Sequence, residues 1–314
     1  MLKKIIIVSI FSIITISLGI IFGSVNLTFH NYKILIGLRI SRVFLAFLIG
    51  GMLGLSGALL QLLLRNPLAD GFTTGIASSS ALGAVIGIAF GLNYNVLPFF
   101  SIFFGIAGLF FVYFIAQRSE NNSNVTLILA GIVLNIICSA IISFIKYYFD
   151  ESIGAIVFWL MGGIGYFDKI KLFLCFFVLF IAFLYSVLNY LKLNIMSFDD
   201  ISSFNLGINP KKIRLIFFVI SALLVSVAVS FSGIIGFVGL IVPHIARGFF
   251  GADMKYNLTF STFFGANLLV LSDLLSRIII PSGAELPVGI ITSIIGGIFF
   301  LYLMIFGKKK LWHD

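Results

Sequence analysis

The sequence predicts an all-α polytopic membrane protein with about ten transmembrane helices, and three observations carry that prediction. First, 61% of the 314 residues are hydrophobic and only 10% are charged, with a mean hydropathy of +1.20. A soluble domain devotes about a quarter of its residues to charge in order to face water. Second, the apolar stretches run for about 18 to 25 residues, the length a helix needs to cross a bilayer. Alternating segments of about ten residues, the mark of a transmembrane barrel, are missing. Third, the basic residues are distributed unequally between the two sets of connecting segments, as membrane topology requires.

The apolar runs divide the chain into spans at 4–23, 40–63, 72–91, 96–116, 125–147, 170–191, 213–232, 235–250, 257–280 and 286–306. The first follows Lys3-Lys4 and is read as an uncleaved helix, because its apolar run is long and no small-residue cleavage site follows it. With ten spans both ends lie on one side. Placing them inside puts thirteen of the 20 basic residues on the inner side and seven outside, so the expected N- and C-termini are cytoplasmic. The whole chain, 1–314, reads as one transmembrane domain. Its longest polar segments are 148–169 outside, read as a short interfacial helix and loop around Trp159, and 192–212 inside. The net charge of +9 would suggest nucleic acid in a soluble protein; here it reports topology. Cys138 and Cys175 lie in apolar runs without metal or redox spacing and are read as small packing residues. A weak inverted repeat is visible. Ser56-Gly57 precedes Pro67 as Ser232-Gly233 precedes Pro243, and Gly83-Ala84 and Gly265-Ala266 follow, on helices of opposite direction.

Several residues are candidates for function. Gly75, Ser79, Gly83, Gly87 and Gly91 recur every fourth position, which would line one face of the third span with small side chains for close packing or a smooth pathway wall. Asp273 and Arg277, four apart near the outer end of the ninth span, are read as an ion pair, with a role at the outer mouth as a compatible alternative. His244 has no Cys, Asp or Glu close by in sequence, which favours a hydrogen-bonded core residue over a metal ligand. The inner stretch from Met196 to Pro210 alternates acids, hydroxyls and apolar residues and suits a short amphipathic helix ending at Gly207. No G-x-x-x-x-G-K-[ST] is present, so ATP and its Mg would have to be held elsewhere, and no catalytic motif or metal-binding cluster stands out.

Arg39-Ile-Ser-Arg42, Gly57-Ala-Leu-Leu-Gln61, Arg65-Asn-Pro-Leu-Ala-Asp70, Gly236 through Arg247, Ser272 through Arg277 and Glu285-Leu-Pro-Val-Gly289 resemble, in this order, the FecCD-type permeases of importers for iron-siderophores, haem and cobalamin. Ser41, Gly71 and Ile298 stand where that family commonly has proline. The resemblance implies a type II ABC importer permease in a bacterial cytoplasmic membrane. It would be paired with a second permease copy or a related chain, served by two ATP-binding subunits, and visited outside by a substrate-binding protein. It further implies that segment 196–212 meets the ATPase, with Asp199, Asp200, Gly207 and Ile208 as contacts. Arg39, Arg42 and Arg277 would then face acidic residues of the binding protein, with Asp273 holding Arg277. Importing a metal chelate by alternating access is the expected function. A secondary transporter for a small solute is the alternative, and it would need a titrating group deep in the bundle.

Overall fold

The computed structural model describes residues 2–24, 32–93, 95–118, 124–165, 169–198, 200–280 and 284–306. Thirteen α-helices follow one another: α1 (Leu2–Ile21), α2 (Tyr32–Leu63), α3 (Ile76–Ala89), α4 (Leu97–Arg118), α5 (Asn124–Tyr148), α6 (Ile153–Leu160), α7 (Lys169–Leu188), α8 (Tyr190–Met196), α9 (Asp200–Asn205), α10 (Pro210–Ser232), α11 (Val238–Phe250), α12 (Met254–Ile278) and α13 (Val288–Phe306). Seven are long and apolar enough to cross a membrane, and α1, α3 and α11 supply three shorter apolar helices. The helix starts follow local chemistry. Asn209 accepts from the Lys212 amide ahead of Pro210 to open α10, and Asp253 accepts from the Lys255 amide to open α12.

Helix α2 is the axis of the molecule. Its hydrophobic window is 89% buried, against 22% for α7, whose large apolar side chains face outward as lipid-contacting groups do. What lets neighbours crowd α2 is a line of glycines. A Cβ on Gly54 would sit 2.2 Å from the Ser261 carbonyl oxygen of α12, and one on Gly57 would sit 2.0 Å from the Gly239 oxygen of α11. Only hydrogen fits at either place, so backbone packs directly on backbone.

At 14 and 13 residues, α3 and α11 are about 20 Å long, too short for a hydrocarbon core of about 30 Å. Each is preceded by a non-helical connector, 64–75 and 233–237, that folds back into the helix bundle. The two helices therefore begin inside the protein, where irregular backbone is tolerated because neighbouring protein surrounds it.

Two expectations change. In the four-residue series, Ser79, Gly83 and Gly87 do face α4: Gly108 packs against Ser79, Gly83 meets the Phe100 backbone and Gly87 meets Leu97. Gly75 and Gly91, however, lie at the ends of α3 with φ of 76° and 64°, so they serve as turns and not as part of the stripe. The Ser-Gly and Pro spacing does not mark equivalent places either. Ser56 lies within α2 while Ser232 is the last residue of α10, and Pro67 is in a connector while Pro243 is inside α11. The short helix expected around Trp159 is present, with a 3-10 turn at Asp150–Ser152 leading into α6.

Candidate functional site

Two polar clusters flank α2, and a cavity lies apart from them. In the N-terminal half of α2, Arg42 donates from Nε and Nη2 to Asp273 Oδ1, both at 2.9 Å, and from Nη1 to Glu285 Oε2 at 2.6 Å. Arg277 Nη2 pairs with Asp273 Oδ2 at 3.1 Å, while its other donors reach the Asp273, Gly19 and Phe22 carbonyls. Ser24 Oγ donates to Glu285. Two cations and two anions thus balance in a cluster joining α1, α2, α12 and the segment before α13, and Asp273 at its centre is 0% exposed. Arg39 lies beside it, buried, with Nη1 donating to the Ile20 and Ile21 carbonyls.

The expected Asp273–Arg277 pair is therefore present, but the docking role drawn for Arg39, Arg42 and Arg277 is corrected. All three guanidiniums are buried and bonded within the chain, so none is presented to an incoming protein. Arg42 to Asp273 spans 231 positions and Arg42 to Glu285 spans 243, so no local spacing announces them.

A cavity of about 670 Å³ is walled by Phe72, Leu160, Met161, Phe237 and residues of α13. Among the described residues lining it, Asp70 is the sole ionisable one. Asp70 is 4% exposed. Its Oδ1 accepts from the Phe72 amide at 3.0 Å, the Thr73 amide at 2.9 Å and Thr73 Oγ1 at 3.2 Å. Sequence reasoning missed this carboxylate. The one available signal was its place at the end of the Arg65–Asp70 motif, in what reads as a polar loop.

Past the C-terminal end of α2, Asp200 opens α9 and binds two arginines at once: Arg65, just past α2, at 2.7 Å, and Arg214 of α10 at 2.8 Å. Arg65 also donates to the Met196 carbonyl, from a left-handed backbone with φ of 46°. Asn194 of α8 donates to Asp253 and accepts from the Met254 amide, fixing α8 to the start of α12. The pair α8–α9 is thereby tied to α2, α10 and α12. Its outer surface is apolar, with Phe198, Ile201, Phe204 and Leu206 all exposed. The amphipathic helix drawn within 196–210 is present as the short α9, and Gly207, with φ of 80°, follows its end as expected. Ile208 is half-buried behind it. Asp199 lies outside the described residues. Asp200 turns toward arginines of its own chain, so its carboxylate acts as an internal tie.

His244 is a buried core residue. Nδ1 lies 3.2 Å from the Leu240 carbonyl, and the ring packs edge-on to Phe300 at 6.3 Å. Next to it Arg247 donates to Gln61, whose amide in turn reaches the Gly239 and Leu240 carbonyls. No group of three metal-ligating side chains occurs among the described residues.

Residues 4–306 match the FecCD transport family. The chain belongs to that family. This FecCD protein is 38% identical over 281 residues to the ABC transporter permease YvrB of Bacillus subtilis, covering 87% of this chain and 79% of the relative. It is 37% identical to an iron chelatin transport system permease of Helicobacter pylori, over 86% of this chain and 82% of that one. A solved inward-facing metal-chelate type ABC transporter superposes with a TM-score of 0.89 at 31% identity, covering 97% of this chain and 99% of that chain. Relatives of similar identity carry names for hemin, vitamin B12 and molybdate. The FecCD chain is thus a multi-pass membrane protein and an ABC importer permease with the type II architecture.

Proposed function

We propose that this chain is the non-catalytic membrane half of an importer that carries a metal chelate into the cytoplasm, a ferric siderophore or haem ahead of cobalamin. The observation that carries the reading is the α8–α9 pair: an exposed apolar surface outside the long spans, bonded through Asp200 and Asn194 to three helices of the bundle. Such a piece can receive a push from a partner and pass it to α2, α10 and α12 as tilting. Two ATP-binding subunits, which hold the ATP and Mg, dock on this surface from the cytoplasm, where both chain ends also lie. The site fits such a partner because a contiguous apolar patch outside lipid marks a protein interface.

The chain works as one of two paired permeases in a bacterial cytoplasmic membrane, and a substrate-binding protein docks on the outer face. With the three arginines engaged internally, docking uses other outer-surface groups. The central cavity supports a bulky cargo: it is wide, mostly apolar and carries few polar groups, so selection among chelates falls to the binding protein.

Exchanging the surface by the double substitution Ile201→Ser and Phe204→Ser tests this. In proteoliposomes holding the permease, its ATPase and the binding protein loaded with ferric siderophore or haem, cargo-stimulated hydrolysis and uptake are expected to fall at least tenfold. Binding-protein docking should be unchanged. Undiminished uptake by the double variant would count against the proposed docking surface.

A further inference from the structure

A second, polar cavity of about 250 Å³ lies where the end of α2, the connector after it, the α8–α9 junction and the start of α12 meet. Two of the residues that line it are arginines, Arg65 and Arg247, and none is acidic. The hydrogen bonding around it is one-sided. Asn66 Oδ1 accepts from the Leu68 amide and Asn257 Oδ1 accepts from Ser261 Oγ, so each side-chain amide spends its oxygen within the chain. The Nδ2 donors are left over. That of Asn257, a residue only 1% exposed, meets nothing among the described residues but the Met254 sulfur at 4.0 Å, a weak acceptor. That of Asn66 has no partner among the described residues.

The two cations are also short of anions. Arg247 is half-buried, and among the described residues it pairs with no carboxylate: it donates to the Gln61 amide oxygen, with His244 Nδ1 3.4 Å away. Gln61 is buried and fixed in turn by the Gly239 and Leu240 carbonyls, so the guanidinium is held in place. Arg65 shares a single carboxylate, Asp200, with Arg214, and it uses only Nη2 for that bond and for the Met196 carbonyl. Asp253, next in sequence to the lining, is spent on Asn194 and the Lys255 amide. Donors and charges gathered out of water without acceptors are costly unless a ligand supplies them.

We propose that this cavity is a binding site for a phosphate group, held by Arg65 and Arg247 with the side-chain amides of Asn66 and Asn257. A carboxylate has two oxygens, whereas four donor groups carried by α11, α12 and the chain just past α2 suit a tetrahedral oxyanion, and guanidinium forks match phosphate in charge and geometry. Free phosphate and the phosphate of an anionic lipid headgroup share this chemistry. Bound there, the group joins α11 and α12 to the end of α2 beside the Asp200 joint, as an anionic clamp the chain itself lacks.

The test uses the full chain, delipidated in dodecyl maltoside, a detergent without phosphate. Equilibrium dialysis with radiolabelled inorganic phosphate reads the free ion, and native mass spectrometry after addition of phosphatidylglycerol reads the lipid. Saturable binding is expected in at least one arm. Arg247→Gln should weaken it roughly tenfold, since a charge-assisted bond is lost. Asn257→Leu, which removes the buried donor at similar volume, should weaken it several-fold. Lys192→Gln removes the same charge from an exposed position of α8 outside the cavity and should bind as wild type does. Variant-sensitive binding in the dialysis arm assigns the site to free phosphate. Variant-sensitive lipid adducts without it assign the site to a headgroup, and either result upholds the proposal. If Arg247→Gln does not elute monodisperse, Asn257→Leu carries the comparison. Absence of binding in both arms, wild-type binding by the cavity variants, or an equal loss in Lys192→Gln would overturn it.

Discussion

Asp273 holds Arg42 with one oxygen and Arg277 with the other, and none of the three has appreciable access to water. Removing the shared anion leaves two buried guanidiniums with only Glu285 between them. Breaking a buried ion pair on one side costs about 3–5 kcal/mol, so Asp273→Asn should sharply lower the melting temperature in nanodiscs and reduce yield. Glu285, in the segment before α13, is a milder case. Burial works against its charge, but the hydrogen bond and charge of Arg42, with the Ser24 hydroxyl, hold its carboxyl below the ordinary range. A depressed carboxyl stabilises the fold above its unfolded pKa, and that contribution disappears as pH falls through the folded value. Thermal melts from pH 7 downward should therefore show wild type losing no more than about 1 kcal/mol that Glu285→Gln never had, the side chain being 31% exposed. Residues 273 and 277 were legible as a pair from their four-residue spacing. Arg42 and Glu285 were not, because ion pairs across hundreds of residues leave no periodic trace.

Among elements, α2 decides the packing and its glycines decide α2. Replacing Gly54 by alanine forces a methyl group against the Ser261 carbonyl, where backbone on a rigid helix cannot yield. Loss of assembled protein by size-exclusion chromatography is expected, at a cost of about 3 kcal/mol or more. Gly37→Ala on the same helix meets nothing within 4 Å and should be neutral or slightly stabilising, since alanine favours helix over glycine. The sequence reading chose the glycines of α3 because their spacing was regular. The contacts of Gly54 and Gly57 instead come from helices about 200 positions away, so their importance was visible only once α11 and α12 were in place. Helix existence was legible because lipid demands long apolar runs. The late start of α3 and α11 was not: connectors 64–75 and 233–237 look like ordinary loops until protein surrounds them. For the same reason nothing local marked Asp70, and the fold put it in the cavity wall.

At the scale of the whole molecule, α2 runs between an ion-pair lock at Arg42 and a lever tied to Arg65. Asp200 is the joint of that lever, so Asp200→Asn should leave the permease folded while loosening α9 from Arg65 and Arg214. ATP hydrolysis in the complex should then continue with cargo uptake reduced several-fold, read as a lower ratio of chelate imported to ATP consumed. The central claim is that movement of cargo through this chain is driven by ATPase subunits acting on α8–α9. The most direct measurement is chelate uptake into proteoliposomes containing the permease, its ATP-binding subunits and the loaded binding protein, with and without ATP. Uptake that requires ATP and is lost with Ile201→Ser and Phe204→Ser is the expected result; uptake that proceeds without the ATP-binding subunits, or survives that double substitution, would contradict it.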